Sequence, residues 1–250
     1  MKTIIKENWK FLLVVLIGGL IGGYCTGVYS YDSLSPEMLK QLQDQNVSKE
    51  IFGLVYMVEY GMVFGMILAA FSIFFSKKIN LWHNFIINKK AIITTIIITI
   101  ISALILFPLD KLIFGSLNTW VSNQYTAKPT IYKMLGGLLV GGIVEEVIVR
   151  LFVMSLILYI ISKISKKKEI PYIAYIIANV LAALAFAALH LPATATMTNL
   201  TPIIIIRCFL INGGLGLAFG YLYRKYDIRY AMISHGLCHL IADILMLIVI

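Results

Sequence analysis

The sequence predicts an all-α protein, a polytopic membrane helical bundle of about seven transmembrane helices, and three observations carry that reading. First, 60% of the 250 residues are hydrophobic and 13% charged, with mean hydropathy +0.90, whereas soluble domains carry about 25% charged residues. A soluble globular domain is excluded. Second, the apolar residues fall into seven runs, at 11–28, 51–75, 91–107, 134–162, 171–191, 202–223 and 230–250. A helix rising ~1.5 Å per residue crosses hydrocarbon in about 20 residues, so each run is of spanning length. Third, the basic residues sort into alternate loops. Fourteen of the 21 Lys and Arg residues lie before the first run (Lys2, Lys6, Lys10) and in the second (Lys77, Lys78, Lys89, Lys90), fourth (Lys163, Lys166, Lys167, Lys168) and sixth (Arg224, Lys225, Arg229) loops. The remaining loops hold five, Lys40, Lys49, Lys111, Lys128 and Lys133. By the positive-inside rule the N-terminus is cytoplasmic and the C-terminus outside, and a bacterial plasma membrane is the expected location. The net charge of +9 is then a topology signal and a contact for anionic lipids. Nucleic acid is not an expected partner, because no basic patch of groove size forms.

The first run follows three lysines, as a secretory signal would, but its length and the lack of a small-x-small cleavage site favour an uncleaved helix. In the loop 30–50, Ser33, Ser35 and Pro36 offer a helix start, which predicts a short surface helix at 37–45. The loop 108–133 carries Trp120 and Tyr125, rings suited to the membrane interface. Glycines recur four apart as Gly18/Gly22, Gly19/Gly23, Gly137/Gly141 and Gly216/Gly220, the spacing that lets helix backbones approach. Cys25, Cys208 and Cys238 all fall in apolar runs and form neither a disulfide framework nor a CxxC site. The chain divides at 133/134 into N-terminal helices and loops (1–133) and a core (134–250) within one membrane domain.

Nine ionisable residues remain inside or at the ends of the apolar runs: Glu59, Glu145, Glu146, Arg150, His190, Arg207, His235, His239 and Asp243. A charge at a helix centre costs about 2.5–3.5 kcal/mol on the insertion scale, so each needs a partner, a wet cavity or a function. Glu59 and Arg207 are expected to pair across the second and sixth helices. Glu146 and Arg150 stand four apart and suit an ion pair. Glu145 points about 100° away and stays free to act, with Glu146 and Arg150 as support. Alone, that motif is as compatible with a structural lock. On the last helix His235, His239 and Asp243 recur every four residues and share one stripe, which, together with His190 and Glu145, brings together what amide hydrolysis needs. A carboxylate deprotonates water, a histidine orients it, and N–H donors hold the developing oxyanion. The alternative is zinc, with His190, His235 and His239 as three nitrogen ligands and Glu145 as base, although no HExxH is present. No nucleophilic Ser or Cys setting competes.

The order EExxxR (Glu145, Glu146, Arg150), FxxxH (Phe186, His190) and a last-helix His235 after a Gly-rich helix at 212–223 resembles the CPBP intramembrane proteases, also called the Abi family. That family includes CAAX prenyl endopeptidases and bacteriocin-processing enzymes. The resemblance covers 134–250. It implies that Glu145 is the catalytic glutamate, His190 its water-orienting partner and His235 the last-motif histidine. The family usually has Asn, sometimes Asp, four residues after that histidine, where this chain has His239; an imidazole N–H donates as an amide does, with different reach and protonation. A register of His239 with Asp243 is the other alignment. The resemblance implies an intramembrane endopeptidase that cleaves a hydrophobic or membrane-associated peptide by glutamate-activated water; no obligatory metal is expected, with zinc kept as the alternative. A non-catalytic immunity or regulatory protein on the same scaffold, and a proton-coupled transporter using Glu146, Arg207 and Asp243, are the alternatives. One geometric tension stands: His190 ends its run whereas His235 begins its own. Either the helix boundaries differ from the hydropathy runs or the connection 192–201 dips into the membrane.

Overall fold

The computed structural model describes residues 2–165 and 169–250, and among them there is no strand. In chain order the helices are α1 (Lys2–Asp32), α2 (Pro36–Asp44), α3 (Lys49–Lys78), α4 (Lys89–Leu117), α5 (Thr119–Asn123), α6 (Ile131–Ser165), α7 (Tyr172–Ala195), α8 (Pro202–Lys225) and α9 (Ile228–Val249). All but α2 and α5 are long and apolar enough to cross a membrane, giving seven spans, and the chain is a membrane protein. The predicted surface helix exists as α2, where Ser35 accepts from the Met38 N–H and caps the helix before Pro36. Of the basic loop clusters, Lys166, Lys167 and Lys168 lie outside the described residues.

The glycine pairs of α1 form two ridges. Gly18 and Gly22 lie against Ile143 and Leu139 of α6, while Gly19 and Gly23 lie against the Tyr60 and Tyr56 carbonyls of α3. The first span is thus wedged between the second and the fourth. The three cysteines are free and buried, as packing residues.

Two prolines just beyond the predicted apolar runs lie inside helices. Pro108 sits inside α4, whose residues Ile105–Phe114 have widened i→i+5 turns; such turns accommodate a residue that lacks an N–H. Asp110, expected in a loop, therefore lies on the third span and is 1% exposed. Arg207 of α8 donates to it twice, Nε to Oδ1 at 2.7 Å and Nη2 to Oδ2 at 2.5 Å. This corrects the expected Glu59–Arg207 pair: Glu59 is exposed on α3. Tyr125 folds back and donates to Asp110 at 2.5 Å. Loss of solvent and then the neighbouring Asp110 carboxylate raise the Tyr125 phenol well above its ordinary value. Likewise α7 runs through Pro192 to Ala195, so the Pro192 segment does not dip in as loop, and His190 lies more than one turn below the end of its helix.

A close backbone approach also couples α6 to α9. A Cβ placed on Gly142 would lie 2.6 Å from the Gly236 Cα and 3.1 Å from the Met232 carbonyl, both backbone atoms. Overpacking of a fitted core costs about 1–3 kcal/mol, and more when backbone must give. Gly142→Ala is expected to lower the thermal midpoint in detergent by several degrees, with a loss of yield. An unchanged midpoint would mean that α6 and α9 part freely.

Candidate active site

The α6 residues 137–145 and 147–154 are two successive stretches of widened turns, a feature that recurs at functional sites in membrane helices. Glu145, Glu146 and Arg150 sit at their junction and beyond. Glu146 is fully buried and Arg150 is 1% exposed, with Arg150 Nη1 3.0 Å from Glu146 Oε1. The guanidinium is held on three sides: Nη2 donates to the Gly216 carbonyl of α8 at 3.0 Å, and its carbon lies 4.6 Å from the Phe186 ring centroid and 5.6 Å from that of Phe219. Aromatic faces and a carbonyl suit a desolvated arginine.

The same Glu146 Oε1 lies 2.8 Å from His235 Nδ1. A carboxylate only accepts, so Nδ1 of His235 carries the proton and its Nε2 presents a lone pair in the neutral ring. That Nε2 faces His239 Nε2 at 3.2 Å and Glu145 Oε2 at 3.8 Å. His235 also stacks on Phe219, ring centroids 4.5 Å apart and 18° between planes. Glu146 thus contacts His235 as well as Arg150.

Glu145 points the other way. Its side chain is 25% exposed and lines a cavity of about 280 Å³ together with His190, His239, Asp243, Lys133 and Tyr60. His190 donates through Nδ1 to the Phe186 carbonyl at 2.8 Å, and because a carbonyl only accepts, the Nε2 of the neutral ring keeps a lone pair. The cavity therefore brings Glu145, His190 and His239 together, with His235 behind His239. Its rim holds Tyr29, Ser30 and Tyr132, residues at the helix ends next to the loops 33–48 and 118–130. It opens at the end of the bundle with fewer basic residues.

Asp243, the third member of the α9 stripe, is paired with Lys133 at 2.9 Å. Sequence reasoning missed Lys133, which reads as an ordinary loop lysine, and Phe219, which reads as core. It also read Gly137 and Gly141 as helix packing. They pack on the histidine stripe of α9: a Cβ on Gly137 would be 3.0 Å from His239 Cβ, and one on Gly141 would be 3.0 Å from His239 Cδ2 and 3.6 Å from His235 Nε2. Their spacing was visible, but its target was on another helix.

Of the three nitrogens of the zinc alternative, His235 Nε2 and His239 Nε2 lie 3.2 Å apart, while His235 Nδ1 is held by Glu146. Among the described residues no three His, Cys, Asp or Glu side chains are grouped as a metal site.

One sequence family matches the chain. Residues 127–241 fit the description Type II CAAX prenyl endopeptidase Rce1-like, a family of intramembrane proteases. No curated protein and no solved structure matches. The matched stretch contains Glu145, Glu146, Arg150, His190, His235 and His239. It begins a few residues before the resemblance expected from the motifs and ends before Asp243. Residues 127–241 of this membrane protein match the model of the Rce1-like type II CAAX prenyl endopeptidases.

Proposed function

We propose that the protein is an intramembrane endopeptidase in which Glu145 activates a water against a peptide bond of a hydrophobic or membrane-associated peptide. The observation that carries this reading is the division of labour between adjacent carboxylates. Glu146 is sealed between Arg150 and His235, whereas Glu145 faces a cavity shared with His190 and His239. In the proposed reaction Glu145 takes a proton from the water as its oxygen attacks the carbonyl carbon. His190 Nε2 accepts the second water proton in a hydrogen bond and fixes the attack direction. The carbonyl oxygen becomes an oxyanion that accepts from the ring N–H of His239, which exchanges its contact with His235 for one with the substrate; such a donor is worth about 2.7–4 kcal/mol. Glu145 then returns its proton to the leaving nitrogen as the C–N bond breaks. No metal takes part.

With the basic loops on the cytoplasmic side, the cavity opens outward. Its substrate would then be a small peptide precursor presented from the outer half of the bilayer. The test is cleavage of a library of hydrophobic peptides by the purified protein in detergent with added lipid, run in ¹⁸O-labelled water with and without chelator. One labelled oxygen is expected in the new carboxylate, at a rate that chelator leaves unchanged. Absence of any cleavage favours a non-catalytic scaffold, and chelator-sensitive cleavage overturns the metal-free mechanism.

A further inference from the structure

A second, larger concavity lies on the opposite side of the α6–α9 seam from the active-site cavity. It is a groove of about 600 Å³ formed by α1, α6 and α9, with walls that include Val14, Leu139, Ile233 and Leu237 and with Lys10 and Arg229 at one end. Val14, Ile233 and Leu237 are exposed, so the groove faces the bilayer. Lys10 and Arg229 belong to the basic end of the bundle, and from Arg229 to Leu237 the groove runs eight residues of α9, about 12 Å at ~1.5 Å per residue.

The chemistry at the two ends differs sharply. Lys10 is exposed. The Arg229 guanidinium is held in place by three rings, 5.4 Å from Phe11, 5.0 Å from Trp82 and 5.4 Å from Phe85, and it meets Asp227 through Nη1 alone at 2.9 Å. Two cations against one carboxylate leave a net positive charge at the level where headgroups lie. Below them the groove is apolar along its length. A ligand that fits has an anionic head and an acyl tail.

We propose that this groove is a binding site for an anionic phospholipid, with its phosphate on Lys10 and Arg229 and one acyl chain along Val14, Ile233 and Leu237. Gly236 is shared between the groove lining and the Gly142 contact. A bound chain therefore presses on the joint that holds Glu146 on α6 against His235 on α9.

Delipidated full-length protein in detergent is titrated with dioleoyl phosphatidylglycerol, dioleoyl phosphatidylcholine or glycerol phosphate, and binding is read by native mass spectrometry. A cation near a lipid headgroup contributes about fivefold in affinity. Phosphatidylglycerol is expected to bind at least about fivefold tighter than phosphatidylcholine, and Lys10→Gln to weaken phosphatidylglycerol about fivefold while leaving phosphatidylcholine unchanged. Val14→Trp, which fills the groove and keeps both cations, is expected to weaken both lipids. Lys10 and Val14 are exposed, so neither change disturbs the packed interior. Equal affinity for the two lipids, indifference to either variant, or glycerol phosphate binding as tightly as phosphatidylglycerol would each overturn the site. None of these readouts depends on peptide cleavage.

Discussion

Glu145→Gln is expected to lower kcat by about 10²–10⁴-fold, the range that a positioned general base contributes, while the thermal midpoint stays at the wild-type value. The two halves of that expectation have separate physical causes. Glutamine has the same shape as glutamate and keeps the hydrogen-bonding reach toward the cavity, but it cannot take a proton from water. Stability is unaffected because Glu145 is 25% exposed and its nearest cation-forming neighbour, His235, is 3.8 Å away. If Glu145 acts only in the transition state, kcat and kcat/KM fall together with KM unchanged. Steady-state cleavage rates of wild type and variant decide it. A variant that retains activity would transfer the role of base to another group and sink the proposed mechanism.

Much of this fold is legible in the sequence because hydropathy and loop charge are both one-dimensional signals. All seven runs reappear as spans, and the Ser35-Pro36 start of α2 is read correctly. Helix ends are less legible, because α4 and α7 run on past the apolar runs that predict them. Pro108 and Pro192 both lie within helices, where surrounding helices and widened turns tolerate what water-exposed helices do not. Ending the third run before Pro108 moves Asp110 out of the membrane and leaves Arg207 to be paired with the wrong acid.

The site is legible to the extent that it depends on spacing within one helix. The four-residue interval of Glu146 and Arg150 gives their ion pair, and the stripe of His235, His239 and Asp243 gives one face of α9. Contacts between helices are not encoded that way. Nothing local announces that His235 Nδ1 meets Glu146, that Lys133 meets Asp243, or that Gly141 clears space for His239. Those depend on the register of α6 against α9, which the Gly142–Gly236 contact sets.

Arg150→Leu is expected to be the most destabilising substitution in the site, because it strands a carboxylate that is fully buried. Breaking a buried ion pair by removing one partner costs about 3–5 kcal/mol, whereas replacing both partners with apolar groups is often neutral or better. Leucine also removes the donor to the Gly216 carbonyl and the cation between Phe186 and Phe219. The Arg150→Leu variant should therefore show a large fall in thermal midpoint in detergent, and the double variant Glu146→Leu with Arg150→Leu should recover most of it. Activity should follow a different course. Without Glu146 the His235 ring loses the acceptor that fixes its Nδ1 proton, and loss of such an orienting carboxylate lowered kcat by about 10⁴-fold in a Ser-His-Asp enzyme. The double variant is expected to be stable and inactive. Recovery of both properties would make the pair a structural lock and remove Glu146 from the chain of contacts that orients His235. Recovery of neither would mean that the Gly216 and aromatic contacts of Arg150, not its charge pairing, hold α6 to α8.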